Sequence, residues 1–262
     1  MSKTRLDVYL VENGYCETRQ RARAEIMSGN ILVDNCKIEK AGALIKDTAI
    51  VKIIKKSFPY VSRGALKLLK ALDEFDIKVD NKICLDIGAS TGGFTEILLL
   101  RGAKKVYSID VGHNQLAFKL RNDPRVISKE KGNARYLTSD ILDNILMDII
   151  VTDVSFISLD KILQPAFDVL KDKGIMIALI KPQFEAGKGA VNQKGIVKDK
   201  NVHQEVIRNI VDFAVKVGFS PMALEKSPIS GTKGNDEYLI LLIKEQVKQN
   251  RIDEDILSSI VN

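Results

Sequence analysis

Little in this 262-residue chain favours metal or disulfide chemistry, for it carries three cysteines and two histidines. Cys16, Cys36 and Cys84 lie far apart with no C-x-x-C pair. Neither a zinc site nor a disulfide framework is indicated, and the thiols are expected to be buried in a reducing cytoplasm. Long apolar runs are missing as well. Nothing hydrophobic follows Met1-Ser2-Lys3, and runs such as Ile175 to Ile180 fall far short of the roughly 18 residues that a membrane span needs. These gaps argue against secretion and membrane insertion. There is no internal repeat and no low-complexity run.

What is present is a 45% hydrophobic composition, enough for a core in one large domain, or in a large domain and a small one. The net charge of +6 is unevenly spread: residues 1–60 hold 11 Lys/Arg against 7 Asp/Glu. A basic end suggests a polyanionic partner, although a solubilising surface would look the same.

Residues 3–60 read as a separate unit. Thr18 can cap a helix from Arg19 to Ser28 that Gly29 ends, and β segments are expected at Ile31 to Val33, before an Asp34-Asn35 turn, and at Ala49 to Ile54. Ala22 and Ile26 mark the buried stripe of that helix, which leaves Arg19 and Arg23 in solvent, facing a phosphate backbone. Lys55-Lys56-Ser57-Phe58-Pro59-Tyr60 breaks the pattern as a linker. Beyond it, Ser62 to Phe75 has helical spacing, with Leu66, Leu69, Leu72 and Phe75 as its apolar stripe and Lys67 and Lys70 off it.

From Lys82 onward, short apolar strands alternate with amphipathic stretches. The strands expected are Ile83 to Ile87, Lys105 to Ile109, Arg125 to Ser128, Met147 to Thr152, Gly174 to Ile180, Met222 to Glu225 and Tyr238 to Ile243. Helical pattern fills Thr95 to Arg101, Gln115 to Arg121, Leu159 to Leu170 and Val202 to Val217. This alternation predicts an α/β fold with a mostly parallel sheet covered on both faces. The tail past Glu245 reads as a charged helical appendage.

The first of these strands runs into Gly88-Ala89-Ser90-Thr91-Gly92-Gly93, which also matches the G-x-S-x-G elbow of serine hydrolases. A hydrolase needs an acid and then a histidine after its serine. His113 and His203 are the only histidines, and no His-Gly-Gly oxyanion sequence precedes Ser90. The alternative is a strand–turn–helix that cradles a nucleotide-like cofactor, with Asp110 at the end of the next strand to receive ribose hydroxyls. Ser90 stands where a dinucleotide fingerprint wants its second glycine, and Asp86 sits where a pyrophosphate would be repelled. Beside the cationic methionine part of S-adenosylmethionine that carboxylate would attract. Gly132-Asn133-Ala134 follows the third strand, in reach of an adenine.

Asp153 and Lys181 close the fourth and fifth strands, where open α/β sheets put their chemistry. Lys67, Asp153, Lys181 and Glu237 offer two bases and two acids, and methylation of a hydroxyl needs a group that takes its proton. In the contexts Ser62-Arg63-Gly64-Ala65-Leu66-Lys67, Thr152-Asp153-Val154-Ser155-Phe156, Lys181-Pro182-Gln183-Phe184-Glu185 and Asn235-Asp236-Glu237-Tyr238, this order resembles the K-D-K-E tetrad of FtsJ-type ribose 2′-O-methyltransferases. Arg5-Leu6-Asp7, Thr18-Arg19, Ala22, Ile26 and Gly29 are similar to an S4 RNA-binding domain. Together they resemble the TlyA family, often labelled hemolysin A.

The resemblance implies a Rossmann-like S-adenosylmethionine-dependent methyltransferase fold, α/β with a seven-stranded mostly parallel sheet, after a small N-terminal S4 α+β domain. The divisions would be 1–56, a linker 57–62, 63–245 and a tail 246–262. It implies that Lys181 is the base, held with the ribose by Lys67, Asp153 and Glu237. Asp86, Gly88, Ala89, Ser90, Gly92, Gly93, Asp110, Val111, Asn133 and Ala134, with Asp153, would line the cofactor. Arg5, Arg19, Arg23, Lys40, Arg63 and Phe156 would meet ribosomal RNA within ribosomal subunits, in the cytoplasm. The family methylates the 2′-hydroxyl of cytidine. An RNA-binding protein with an inactive methyltransferase domain and a membrane-active hemolysin are the competing readings. Two departures stand out: Thr18 replaces the usual S4 serine, and Phe58-Pro59-Tyr60-Val61 replaces a basic-aromatic linker found in some relatives.

Overall fold

A computed structural model describes residues 3–27, 29–54, 58–246 and 249–261. The chain divides into two compact units, Met1–Pro59 and Tyr60–Asn262. Lys55, Lys56 and Ser57 of the expected linker, and Ser28 at the expected helix end, lie outside the described residues.

The first unit holds β1 (Lys3–Arg5), α1 (Leu6–Glu12), α2 (Arg19–Met27), β2 (Ile31–Val33), β3 (Cys36–Lys37), β4 (Leu44–Lys46) and β5 (Val51–Ile53). Thr18 Oγ1 accepts from Arg21 N at 3.2 Å, so the threonine caps α2 as a serine would. Asp34 and Asn35 both take positive φ (52° and 64°), which makes the tight turn joining β2 to β3. β2 pairs with β3 and β5, and β1 pairs with β4, all antiparallel. Leu6, Leu10, Ala22, Ile26 and Ile31 are fully buried at the centre. β1, α1 and β4 were not anticipated; they are too short for periodicity to register. Cys36 is exposed on its hairpin, correcting the expectation of three buried thiols.

The second unit begins with α3 (Ala65–Glu74) and continues through β6 (Ile83–Ile87), α4 (Gly93–Leu100), β7 (Lys105–Asp110), α5 (Phe118–Arg121), β8 (Val126–Glu130) and β9 (Met147–Thr152). There follow α6 (Asp160–Val169), β10 (Leu170–Ile180), α7 (Pro182–Glu185), α8 (Lys200–Val217), β11 (Phe219–Lys226), β12 (Tyr238–Lys244) and α9 (Glu254–Val261). Seven strands form one sheet in the order β11-β12-β10-β9-β6-β7-β8. β10, β9, β6, β7 and β8 run parallel, and β12 lies antiparallel between β10 and β11.

Two topological facts place the site. After β6, β7 and β8 the chain returns to lay β9 on the other side of β6, which opens a crevice at the carboxyl ends of β6 and β9. The reversed β12 starts at the edge where the parallel strands end, with Tyr238 opposite Ile180. A residue just before β12 therefore meets residues just after β9 and β10.

Two expectations need correcting. The buried face of α3 is Ala65, Leu68, Ala71 and Leu72, and Lys67 shares it at 7% exposure. Leu66 and Leu69 are only half-buried, because the face is rotated to take in the lysine. The tail is not an appendage either. Ile252, Leu257 and Val261 are buried in the main core, and Lys200 Nζ donates to Val261 O at 2.6 Å. Among the described residues no helix is long and apolar enough to cross a membrane.

Candidate active site

The turn after β6 is built on its glycines. Gly88 (φ 81°), Ser90 (φ 49°) and Gly92 (φ 95°) all take left-handed backbone, natural for glycine and strained for serine. Gly88 N and Ala89 N both donate to Ile109 O, at 2.8 and 3.1 Å. Asp110, at the end of β7, organises the rest: Oδ2 accepts from Ser90 N and Oδ1 from Gly112 N, each at 2.8 Å. Each of its oxygens keeps a second lone pair. A Cβ on Gly88 would meet Val154 Cγ1 at 3.1 Å, and one on Gly92 would run into Leu116 and Leu120.

Asp86 is fully buried beneath this turn. Its Oδ2 accepts from Thr95 N at 2.9 Å and Thr95 Oγ1 at 2.7 Å, capping the start of α4, while its Oδ1 has no hydrogen-bond partner among the described residues. Burial pushes the carboxyl up to about 7, against the opposing pull of the Thr95 hydrogen bonds. A buried carboxylate oxygen left unpaired in a cleft wall is a place for a cation.

The four tetrad residues arrive from four elements. Lys67 lies on α3, Asp153 just past β9, Lys181 just past β10 and Glu237 just before β12. They form one chain of ion pairs: Lys67 Nζ stands 2.7 Å from Glu237 Oε2 and 3.2 Å from Asp153 Oδ2, and Lys181 Nζ stands 2.6 Å from Asp153 Oδ1. Burial depresses the Lys67 ammonium, but Asp153 and Glu237 outweigh it and hold its pKa above the ordinary lysine value. A cleft of about 420 Å³ is lined by all four, by Arg63, and by Asp86, Gly88, Ala89, Ser90 and Gly93 of the turn.

The structure brings together less than the full expected set. Asp110, Val111, Asn133 and Ala134 lie outside the described lining of that cleft, and Asp110 lines a smaller pocket that shares Ala89 and Ser90 with it. Val111 is exposed, Asn133 turns its side chain to the Arg135 amide at 3.1 Å, and Ala134 packs into the main core. Gly92 is absent from the lining too and serves as a backbone pivot against the leucines. Phe156 stands 88% exposed at φ 63°, its ring centroid 4.9 Å from that of Phe184. Residues not anticipated complete the site. Ser155 Oγ accepts from Lys181 Nζ at 2.9 Å, and Gln183 Nε2 donates to Glu237 Oε1 at 3.2 Å. Each lies two positions after a tetrad residue in sequence, the only signal that could have raised them.

Ser90 has no hydrolase partner. His203 is buried, with one ring nitrogen 2.7 Å from Tyr238 Oη and the other 3.0 Å from Val197 O, and His113 Nδ1 pairs with Glu130 at 2.5 Å.

In the first unit Arg5, Arg19 and Arg23 converge on the buried Asp7, at 3.0, 3.0 and 3.1 Å. This corrects the picture of Arg19 and Arg23 as free in solvent: each anchors one face on Asp7 and leaves about half of its side chain exposed. The Arg5 hydrogen bonds, joined by those of Arg19 and Arg23, hold the Asp7 carboxyl far below the usual range. Lys40 is exposed between β3 and β4.

A doubly wound sheet with a reversed strand next to its edge, a glycine turn over a buried acid and a second acid at the next strand end define a Rossmann-like fold of the methyltransferase class. Residues 60–244 match the FtsJ-like methyltransferase model and residues 4–51 the S4 domain. The chain belongs to the FtsJ-like methyltransferase family. It is 46% identical over 235 residues to "Hemolysin A" of Brachyspira hyodysenteriae, covering 90% of this chain and 98% of that one. It is 40% identical to the "16S/23S rRNA (cytidine-2'-O)-methyltransferase TlyA" of Mycobacterium tuberculosis, covering 92% and 90%. Among solved structures, a protein of Streptococcus thermophilus described as a hemolysin is 42% identical and superposes with a TM-score of 0.78, covering 100% of this chain and 95% of that one.

Proposed function

We propose that the chain transfers a methyl group from S-adenosylmethionine to the 2′-hydroxyl of a cytidine in ribosomal RNA, acting on ribosomal subunits in the cytoplasm. The observation that carries this reading is the ion-pair chain Glu237–Lys67–Asp153–Lys181 in the wall of the same cleft as the glycine turn. The relative named for rRNA methylation and the match of residues 4–51 to the S4 domain support the substrate class.

The residues present fit the cofactor. Among the described residues Asp86 Oδ1 lacks a partner, which an ammonium would supply, and the spare lone pairs of Asp110 suit ribose hydroxyls. When bound, S-adenosylmethionine supplies an electrophilic methyl group on a positively charged sulfur. A ribose hydroxyl that acts as nucleophile must shed its proton, and Lys181 Nζ is the acceptor. Two carboxylates hold Lys67 as an ammonium, whereas Lys181 faces one carboxylate and the Ser155 hydroxyl at the cleft. Glu237 and Lys67 fix Asp153, and Asp153 aims Lys181.

Arg5, Arg19, Arg23 and Lys40 hold RNA phosphates on the first unit. Arg63 meets RNA at the cleft, and the exposed ring of Phe156, held in strained backbone, stacks on the target base. The test is transfer of labelled methyl from S-adenosylmethionine to small and large ribosomal subunits lacking the modification, followed by mapping of ribose methyls. Label at a cytidine 2′-oxygen is expected; label on base or protein, or none despite cofactor binding, overturns the reading.

A further inference from the structure

Glu185 has no part in the chemistry above, yet it is half-buried and fully engaged. It closes the one-turn helix α7, which Lys181 precedes. Its Oε1 accepts from Leu159 N at 2.9 Å and its Oε2 from Ser158 Oγ. Leu159 occupies the N-cap position of α6, where a leucine side chain can cap nothing. In a capping box, a glutamate of the same helix reaches back to the N-cap amide. Here the carboxylate comes from a different element.

The segment it fastens is the loop between β9 and α6. That loop carries Asp153, Ser155 and Phe156, and the strained φ of 63° at Phe156 persists only if the surroundings hold it. The other residues of the 181–185 segment brace the same cleft. Lys181 reaches Asp153 and Ser155, Gln183 reaches Glu237, and Phe184 meets the Phe156 ring. Burial pushes the Glu185 carboxyl above its ordinary value, the mark of a charge placed there at some cost.

We infer that Glu185 is a positioning residue, a latch whose two hydrogen bonds set where Asp153, Ser155 and Phe156 stand relative to Lys181. The inference rests on the reading of Lys181 as proton acceptor. Glutamine can keep both bonds, accepting from the Leu159 amide and donating to Ser158, whereas alanine keeps neither. In the full-length protein, Glu185→Ala should lower kcat on ribosomal subunits roughly 100-fold, the scale expected of an ångström-sized misplacement. Its S-adenosylmethionine affinity should stay within about twofold, and Glu185→Gln should retain kcat within about threefold.

A second readout does not depend on turnover. Amide exchange of residues 153–159 should quicken in Glu185→Ala while residues 86–95 keep their protection. Unchanged exchange in that loop, an unaltered kcat, or parallel loss of kcat and cofactor affinity overturns the latch. Absence of methyl transfer by the wild type overturns the functional reading instead, and leaves the exchange result to decide the latch. Should the alanine variant not fold, Ser158→Ala removes one of the two bonds; about a tenfold lower kcat is expected, and no change overturns the proposal.

Discussion

The two charge clusters of this protein are built on opposite plans. Around Asp7, three guanidiniums share one carboxylate, so the group carries a surplus of two positive charges on arginines about half exposed. In the second unit two lysines alternate with two carboxylates, the sum is zero, and side-chain exposure runs from 2% to 20%. An exposed surplus is what a polyanion can use, since its phosphates complete the neutralisation. A buried balanced set carries no net charge, and in the proposed function it suits a proton that must move a short way between fixed groups. In the proposed function the same residue chemistry thus separates into holding and reacting according to stoichiometry and burial.

The sharpest way to break this contrast is at Lys181. Lys181→Ala should lower turnover roughly 10³-fold while S-adenosylmethionine still binds, because the lysine acts on the hydroxyl. Equal loss of both would make it structural. Next comes the balance itself: Glu237→Ala leaves the buried Lys67 with one carboxylate, and stability should fall by about 3 kcal/mol in denaturant unfolding. An unchanged midpoint would mean that Lys67 finds another partner.

Asp86→Asn should weaken S-adenosylmethionine roughly 30-fold, the loss of a charge-assisted hydrogen bond. The sign of its pH dependence follows from burial. The native carboxyl keeps its proton up to about 7 and the unfolded one releases it near its ordinary value of 3.8, so the free protein loses stability as pH rises between the two. A cation needs the ionised form, so affinity should rise from pH 6 to 8 in the wild type and stay flat in the variant; calorimetry checks both. The smallest effect belongs to the exposed cluster. Arg19→Ala should weaken RNA binding and reduce its salt slope by about one charge. No change in either would take that helix out of the interface.

The strands Ile83–Ile87 and Met147–Thr152 were readable residue for residue, because central parallel strands are near-continuous apolar runs, here holding one aspartate each, Asp86 and Asp148. So were the tetrad positions at strand ends. The face of α3 was not: Lys67 is buried by partners 86 and 170 residues away, which hydrophobic spacing cannot register. Arg19 and Arg23 failed as free charges for the same reason, since Asp7 lies on a different helix from both. Ser155, Gln183 and Glu185 are ordinary polar residues until the fold shows what they hold.

The reversed β12 also orders events during synthesis. The glycine turn and Asp110 are made before residue 111, but Glu237 lies near the end of a 262-residue chain. Its strand must slot between β11 and β10 before Lys67 gains its second carboxylate. A chain released before residue 237 therefore has the glycine turn but neither the strand that fills the sheet between β11 and β10 nor the second carboxylate of Lys67.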